Sequence, residues 1–243
     1  MCKIFLQEFG IDIVSHVTSI GGVTADTKGL SFSDIKKAAL HSPMHCADKA
    51  AEKKMMARVD EAQKKKDTIG GIFEVVVTGV PVGLGSFVHY DRRLTAKLAA
   101  AVMSIQAVKG VEFGMGFGVS KALGREVHDE IFHDAKKGFY RRSNNAGGLE
   151  GGVTNGEDLV VRAATKPYAT LMSPMSSVNI ESKKKEVATV ERSDVTAVPA
   201  CGVVGEAMVA FEIANALTEK FGGDSLKEMK RNFDGYKKQI ADF

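Results

Sequence analysis

The stretch Thr68–Gly118, TIGGIFEVVVTGVPVGLGSFVHYDRRLTAKLAAAVMSIQAVKGVEFGMGFG, runs through three kinds of local pattern in turn. Ile69–Pro81 is rich in β-branched residues, which predicts a buried strand. In Val82–Phe87, Gly83 and Gly85 let the backbone bend or approach a neighbour closely. A helix is expected from about Asp91, whose carboxylate can cap it. Its body is apolar over much of its surface, so it should pack on more than one side. It breaks on Lys109–Gly118, where Gly114, Gly116 and Gly118 alternate. One reading is an extended segment with a bare face for a planar ligand or a neighbouring strand. The other is a tight crossing or a bulge.

Upstream, Cys2–Glu8 reads as the last turns of a helix stopped by Gly10, and Ile11–Ile20 as a strand ended by Gly21 and Gly22. His16 in that strand is expected to be a hydrogen-bonded strand residue. Ser33 can cap a short helix over Asp34–Leu40, ended near Pro43. A second helix is expected from about Ala47 to Gln63, with Met55 and Met56 in the core. Pro43 between His41 and His45 argues against a helical metal pair.

Downstream, Val119–Asp134 is polar, and its His128, Asp129, Glu130, His133 and Asp134 fit no metal spacing. Arg141–Pro167 begins with small polar residues suited to an ordered loop or a crossing. Asn155-Gly156 signals a turn into a strand at Leu159–Ala164. Val178–Ile180 and Val187–Val190 flank a polar hairpin. A helix is expected from about Val203 to Lys220. Ser225 with Glu228 forms a capping box for a last helix ending near Ile240. Extended segment, bend and alanine-rich helix occur around Ile69–Lys109 and again around Ala188–Lys220, which suggests a duplicated β/α unit. The fold class expected is α+β, with antiparallel sheets packed around long helices, in a single domain over residues 1–243.

The 243 residues are enough to bury a real core, and the formal charge of +3 gives no case for nucleic acid. It slightly favours a small anionic ligand. Cys2, Cys46 and Cys201 are too scattered for a metal set or a disulfide framework, so a reduced cytoplasmic setting is expected. No run of about 20 apolar residues suggests a membrane span. Neither a dinucleotide fingerprint nor a phosphate loop of the G-x-x-x-x-G-K-[ST] type occurs.

Arg192 and Asp194, either side of Ser193, are the most informative charges outside the helices. Paired with each other, they would only stabilise a turn. Facing a pocket, Arg192 would grip a carboxylate or phosphate and Asp194 would handle a proton. Lys166, extended by the following Pro167, adds positive charge, and Thr170 adds a hydroxyl.

At these residues the sequence resembles the chorismate synthases. The matching pieces are GVPVGLGSF (Gly79–Phe87), SIQAVKGVEFGMGF (Ser104–Phe117), SNNAGGLEGGVTNG (Ser143–Gly156), KPYATL (Lys166–Leu171) and ERSDVTAVPA (Glu191–Ala200), followed by VVGEAMVAFEIANAL. They cover practically the whole chain in family order. The resemblance implies a β-α-β sandwich and a homotetramer. It also implies a lyase that removes phosphate from 5-enolpyruvylshikimate 3-phosphate to give chorismate, a 1,4-elimination requiring reduced FMN, with NADPH-dependent reduction of the flavin either intrinsic or external. It assigns proton handling to Asp194, anion binding to Arg192, and flavin contact to Gln106 and Ala107. Lys166 and Thr170 fall in its phosphate- or ring-binding segment, and Asn144–Gly152 near the pocket or a subunit junction.

The sequence also departs from the family pattern. Members usually carry a long segment ahead of the point where this sequence starts, with Ser-His-Gly, Arg-Pro-Gly-His-Ala-Asp and Gly-Arg-Ser-Ser-x-Arg-Glu motifs that are not found here. His16, His41, His45, His89, His128 and His133 do not stand in those contexts. The expectation is that this polypeptide alone has little activity and weak flavin affinity, and that an exposed sheet edge favours aggregation. Lys66 stands before Asp67 where the family commonly has glycine, and Ala200 where arginine is common.

Overall fold

The computed structural model describes residues 1–135 and 138–242. The elements in chain order are α1 (Cys2–Gln7), β1 (Asp12–Ile20), β2 (Val23–Thr24), α2 (Phe32–Leu40), α3 (Lys49–Lys64), β3 (Gly71–Thr78), α4 (Leu94–Met103) and β4 (Val108–Phe113). A 3₁₀ turn (Gly116–Lys121), α5 (Gly124–Val127) and the hairpin β5 (Ile131–Asp134) and β6 (Gly138–Arg141) follow. Then come β7 (Leu149–Glu150), β8 (Val153–Thr154), β9 (Leu159–Thr165), the hairpin β10 (Ser176–Val178) and β11 (Lys185–Val187), α6 (Val198–Phe221) and α7 (Leu226–Ala241).

Five strands form one antiparallel sheet in the order β2-β1-β3-β9-β4. Its two faces follow from side-chain alternation along each strand. Ile13, Val17, Phe73, Val75, Val77, Leu159, Val161 and Ala163 are buried in the main core together with Val209, Ile213 and Leu217 of α6. The helix sits close because Gly205 leaves room: a Cβ there would lie 2.6 Å from the Phe73 ring. Edge-to-face contacts of Phe9 with Phe5 and Phe233, and of Phe221 with Phe233, tie α1, α6 and α7 together.

The opposite face carries a polar row across four strands. His16 is in register with Glu74, Glu74 with Arg162, and Arg162 with Glu112. His16 Nε2 lies 2.9 Å from Glu74 Oε1, and Arg162 Nε donates to Glu112 Oε1 at 2.8 Å. His16 is therefore the hydrogen-bonded strand residue expected. Beside this row, α2 closes a smaller apolar cluster of Val14, Ile35 and Val76.

Several local expectations change. Asp91 does not cap α4: the helix starts at Leu94 without a side-chain cap, and the Leu94 N–H donates to Gly152 O at 2.8 Å instead. A tertiary contact has replaced the local one. Ser31, not Ser33, caps α2, in a reciprocal capping box with Asp34. Met55 is buried, but Met56 is 43% exposed. α6 begins at Val198, with Pro199 in its first turn, where a missing N–H costs nothing. Gly202 and Gly205 serve its packing against the sheet. α6 is also long and apolar enough to cross a membrane by length and composition, and over half of its most apolar window is buried inside the fold. The extended residues before α6 do not join the five-stranded sheet, so the repeat suggested around Ala188–Lys220 shares its helix but not its strand.

Candidate functional site

The row Gly71–Thr165–Val108 closes one end of the three strands β3, β9 and β4. Gly70, Lys166 and Ala107 lie just beyond it, so the chain emerges from the sheet at one rim. Ala107 takes φ +71, and its carbonyl accepts the Lys166 N–H at 2.8 Å. The Gln106 carbonyl lies 3.9 Å from the buried Cys201 thiol in the first turns of α6.

The next residues on each segment are joined to one another. Thr68 Oγ1 donates to Tyr168 O at 2.7 Å, the Ile69 N–H to Val195 O at 2.8 Å, and Ser193 Oγ to Thr170 O at 3.0 Å. Three segments far apart in sequence, 106–107, 166–170 and 192–195, therefore converge on one end of the sheet. Burial, then the nearby Cys201 and Asp194, push the Tyr168 phenol above its ordinary pKa, and burial does the same to the Cys201 thiol.

Arg192 and Asp194 line a cavity of about 290 Å³ with Gln63, Lys66, Asp67, Thr68, Met172 and Ser193. Both are exposed. Among the described residues they form no ion pair with each other, so the turn-stabilising alternative does not apply. Gln106, Ala107, Lys166 and Thr170 border this cavity's supporting segments rather than its wall. Sequence reasoning missed Lys66 and Thr68 as cavity residues. The signal available was Lys66 itself, a charged residue where the family commonly has glycine.

The glycine-rich loop lies elsewhere. The Met115 N–H donates to Asn145 O at 2.7 Å, and a Cβ on Gly114 would fall 2.1 Å from that same oxygen. Gly114 and the loop thus form a tight crossing. Gly116 and Gly118 belong to the 3₁₀ turn, so no extended bare face exists there. Asp129 locks the crossing by accepting from Ser143 Oγ at 2.6 Å and from the Asn145 and Ala146 N–H groups at 2.8 and 2.9 Å. Burial pushes its carboxyl up, but these donors outweigh burial and hold it below the ordinary range. The loop borders an open, largely apolar cavity of about 680 Å³ with Val111, Phe113 and Phe117. It sits beyond the far end of β4 from Ala107, roughly 20 Å away by strand rise, so within this chain it does not adjoin Arg192.

The rim and cavity bring together three cations, Arg192, Lys166 and Lys66, the Thr170 hydroxyl and the Asp194 carboxylate, side chains whose chemistry suits holding an anion and moving a proton. The family model described as chorismate synthase matches residues 1–218. A chorismate synthase of Geobacter sulfurreducens is 50% identical over all of this chain and 64% of its own length. One of Bacillus subtilis strain 168 is 51% identical, with 100% of this chain and 63% of its own covered. A solved structure titled "Crystal Structure of Chorismate Synthase" superposes with a TM-score of 0.84 at 40% identity, covering 100% of this chain and 67% of that one. The chain spans about 64% of the length of the curated relatives it matches. The chain belongs to the chorismate synthase family.

Proposed function

We propose that this chain supplies the cofactor- and anion-binding part of a lyase that removes phosphate from 5-enolpyruvylshikimate 3-phosphate by anti-1,4-elimination, giving chorismate with reduced FMN. The observation that carries this reading is the convergence of 106–107, 166–170 and 192–195 on one rim. The donor set fits a flavin mononucleotide: Lys166 and Arg192 answer its phosphate or the substrate's charge, and the exposed Gln106 amide and half-buried Thr170 hydroxyl can hydrogen-bond its ring or chain. Bound reduced flavin would lend electron density to the allylic system as phosphate leaves and regain it as the ring proton departs. Asp194 is the carboxylate placed to handle that proton, and Arg192 holds the anionic end of the substrate while the C–O bond breaks. The reading carries with it a cytoplasmic homotetramer.

The openness of the site favours a second reading for the chain by itself. Arg192, Asp194, Gln106 and Lys166 are all exposed, and exposed charges attract anions weakly. On that reading the chain is a non-catalytic core that binds flavin poorly and serves only as an oligomeric scaffold. An anaerobic assay with reduced FMN and substrate, alongside FMN titration and native mass spectrometry, separates the two. Turnover that is lost in Asp194→Asn and Arg192→Ala supports the lyase. FMN binding that is unchanged in both variants removes this rim from the reading.

A further inference from the structure

The C-terminus of α3 carries a residue that backbone geometry disfavours. The Asp67 N–H bonds to Ala62 O at 2.9 Å and the Lys66 N–H to Gln63 O at 3.0 Å, a pair of bonds that makes a Schellman ending. The residue in the left-handed position of that motif is normally glycine, because a Cβ there crowds the backbone. Here it is Lys66, at φ +57. Its carbonyl also accepts the Ser173 N–H at 3.1 Å, so the strained turn is fixed by tertiary structure.

Of the three consecutive lysines at the end of α3, Lys66 alone lines the cavity of about 290 Å³ shared with Arg192 and Asp194. Lys65 is committed to Glu61 at 2.6 Å. Among the described residues, neither Lys66 nor Arg192 is in an ion pair, although Asp67 and Asp194 line the same cavity. Asp67 turns its carboxylate onto the Thr68 N–H at 2.8 Å. The cavity thus presents an ammonium and a guanidinium without carboxylate partners, one of them held there at a conformational cost.

We propose that Lys66 and Arg192 together bind a phosphomonoester or free phosphate dianion in this cavity. The proposal deepens the functional reading above and rests on it only for the cavity's use. Two cations from separate segments bracket the group, Arg192 through a planar pair of N–H donors and Lys66 as a point charge. The Thr68 and Ser193 hydroxyls at the same wall already donate to the Tyr168 and Thr170 carbonyls, so the two cations carry the binding.

The test starts with inorganic phosphate alone, titrated by phosphorus NMR line width and by thermal shift against chloride at equal ionic strength. Lys66→Gly should unfold no earlier than the parent, because glycine relieves the left-handed strain, yet bind phosphate about tenfold more weakly. Lys66→Asn, which tolerates the same backbone, should behave likewise, and Lys66→Arg should keep the affinity. Lys64→Gln, which removes an equal charge outside the cavity, should leave it unchanged. Phosphate affinity in Lys66→Gly equal to the parent's, or no phosphate binding by the parent, overturns the proposal. Comparing FMN with riboflavin, and shikimate 3-phosphate with shikimate, then identifies the phosphate that Lys66 contacts, and dependence in either pair supports the proposal. If FMN fails to bind any variant while phosphate binding still needs Lys66, the functional reading falls and this site stands.

Discussion

His45 shows how a single residue can tie pH to stability. It sits at φ +57, and its carbonyl accepts the Val17 N–H at 2.7 Å. Among the described residues its buried Nε2 has no hydrogen-bond partner. Burial pushes the imidazole below its ordinary pKa, only partly offset by the charge of Glu206, and His16 nearby adds to the lowering. The sign follows from proton uptake. Below about pH 6.5 the unfolded chain takes a proton that the folded His45 refuses, so this contribution is complete above that pH and is lost as pH falls through the folded value. Urea melts of the parent from about pH 7.5 to 5 should lose stability, and His45→Asn should flatten that slope, because asparagine keeps the left-handed turn without titrating. An unchanged slope would assign the acid sensitivity to another group.

At the scale of the element, α6 is positioned by what it lacks. A Cβ on Gly205 would lie 2.6 Å from the Phe73 ring and 3.3 Å from Val75, whereas one on Gly202 would meet Ser15 Oγ at 3.1 Å. The ring is locked in the core and the hydroxyl can rotate. Gly205→Ala should therefore cost about 2 kcal/mol as the helix is forced from the sheet. Gly202→Ala should cost clearly less, since alanine's helix propensity offsets part of the crowding. Thermal unfolding of the two variants checks this order, and equal costs would contradict the packing assigned to Phe73. The expected helix already contains Gly205, and Gly202 lies in the first turns of α6, residues 198–202, that the sequence left out. Local propensity disfavours glycine in a helix, and the reason for tolerating it is a sheet formed by residues over a hundred positions away.

For the whole molecule the relevant feature is the edge of the sheet. β2 covers only the Ser19–Ile20 end of β1, so the rest of β1 would offer a template for another strand. The outward N–H groups are instead engaged: Ile13 by Asp12 Oδ1 at 2.9 Å, Ser15 by Glu206 Oε1 at 2.6 Å, and Val17 by the His45 carbonyl. Glu206 is buried on α6 and also paired with Lys3. This edge of the sheet is thus blocked along residues 13–17 by two carboxylates and a turn. Glu206→Ala should destabilise the fold by about 2 kcal/mol and raise light scattering on warming, while Glu206→Gln, which keeps an acceptor for Ser15, should scatter much less. Equal scattering from both variants would show that the edge is guarded by something else.

The sequence by itself determined the α+β alternation, strands read at Ile11–Ile20, Ile69–Pro81 and Leu159–Ala164 that the fold trims or extends by a few residues, and the residues Arg192 and Asp194 as a pair of interest. Those follow from side-chain periodicity and turn chemistry, which act over a few residues. Only the tertiary structure decided which segments meet: that Ala107 and Lys166 share a rim, that Lys66 and Arg192 share a cavity, and that the glycine loop is a crossing at the far end of β4. Register and strand order set those distances. Both arise from burying one face of the sheet under α6 and α4, a constraint on the whole chain that no local window contains.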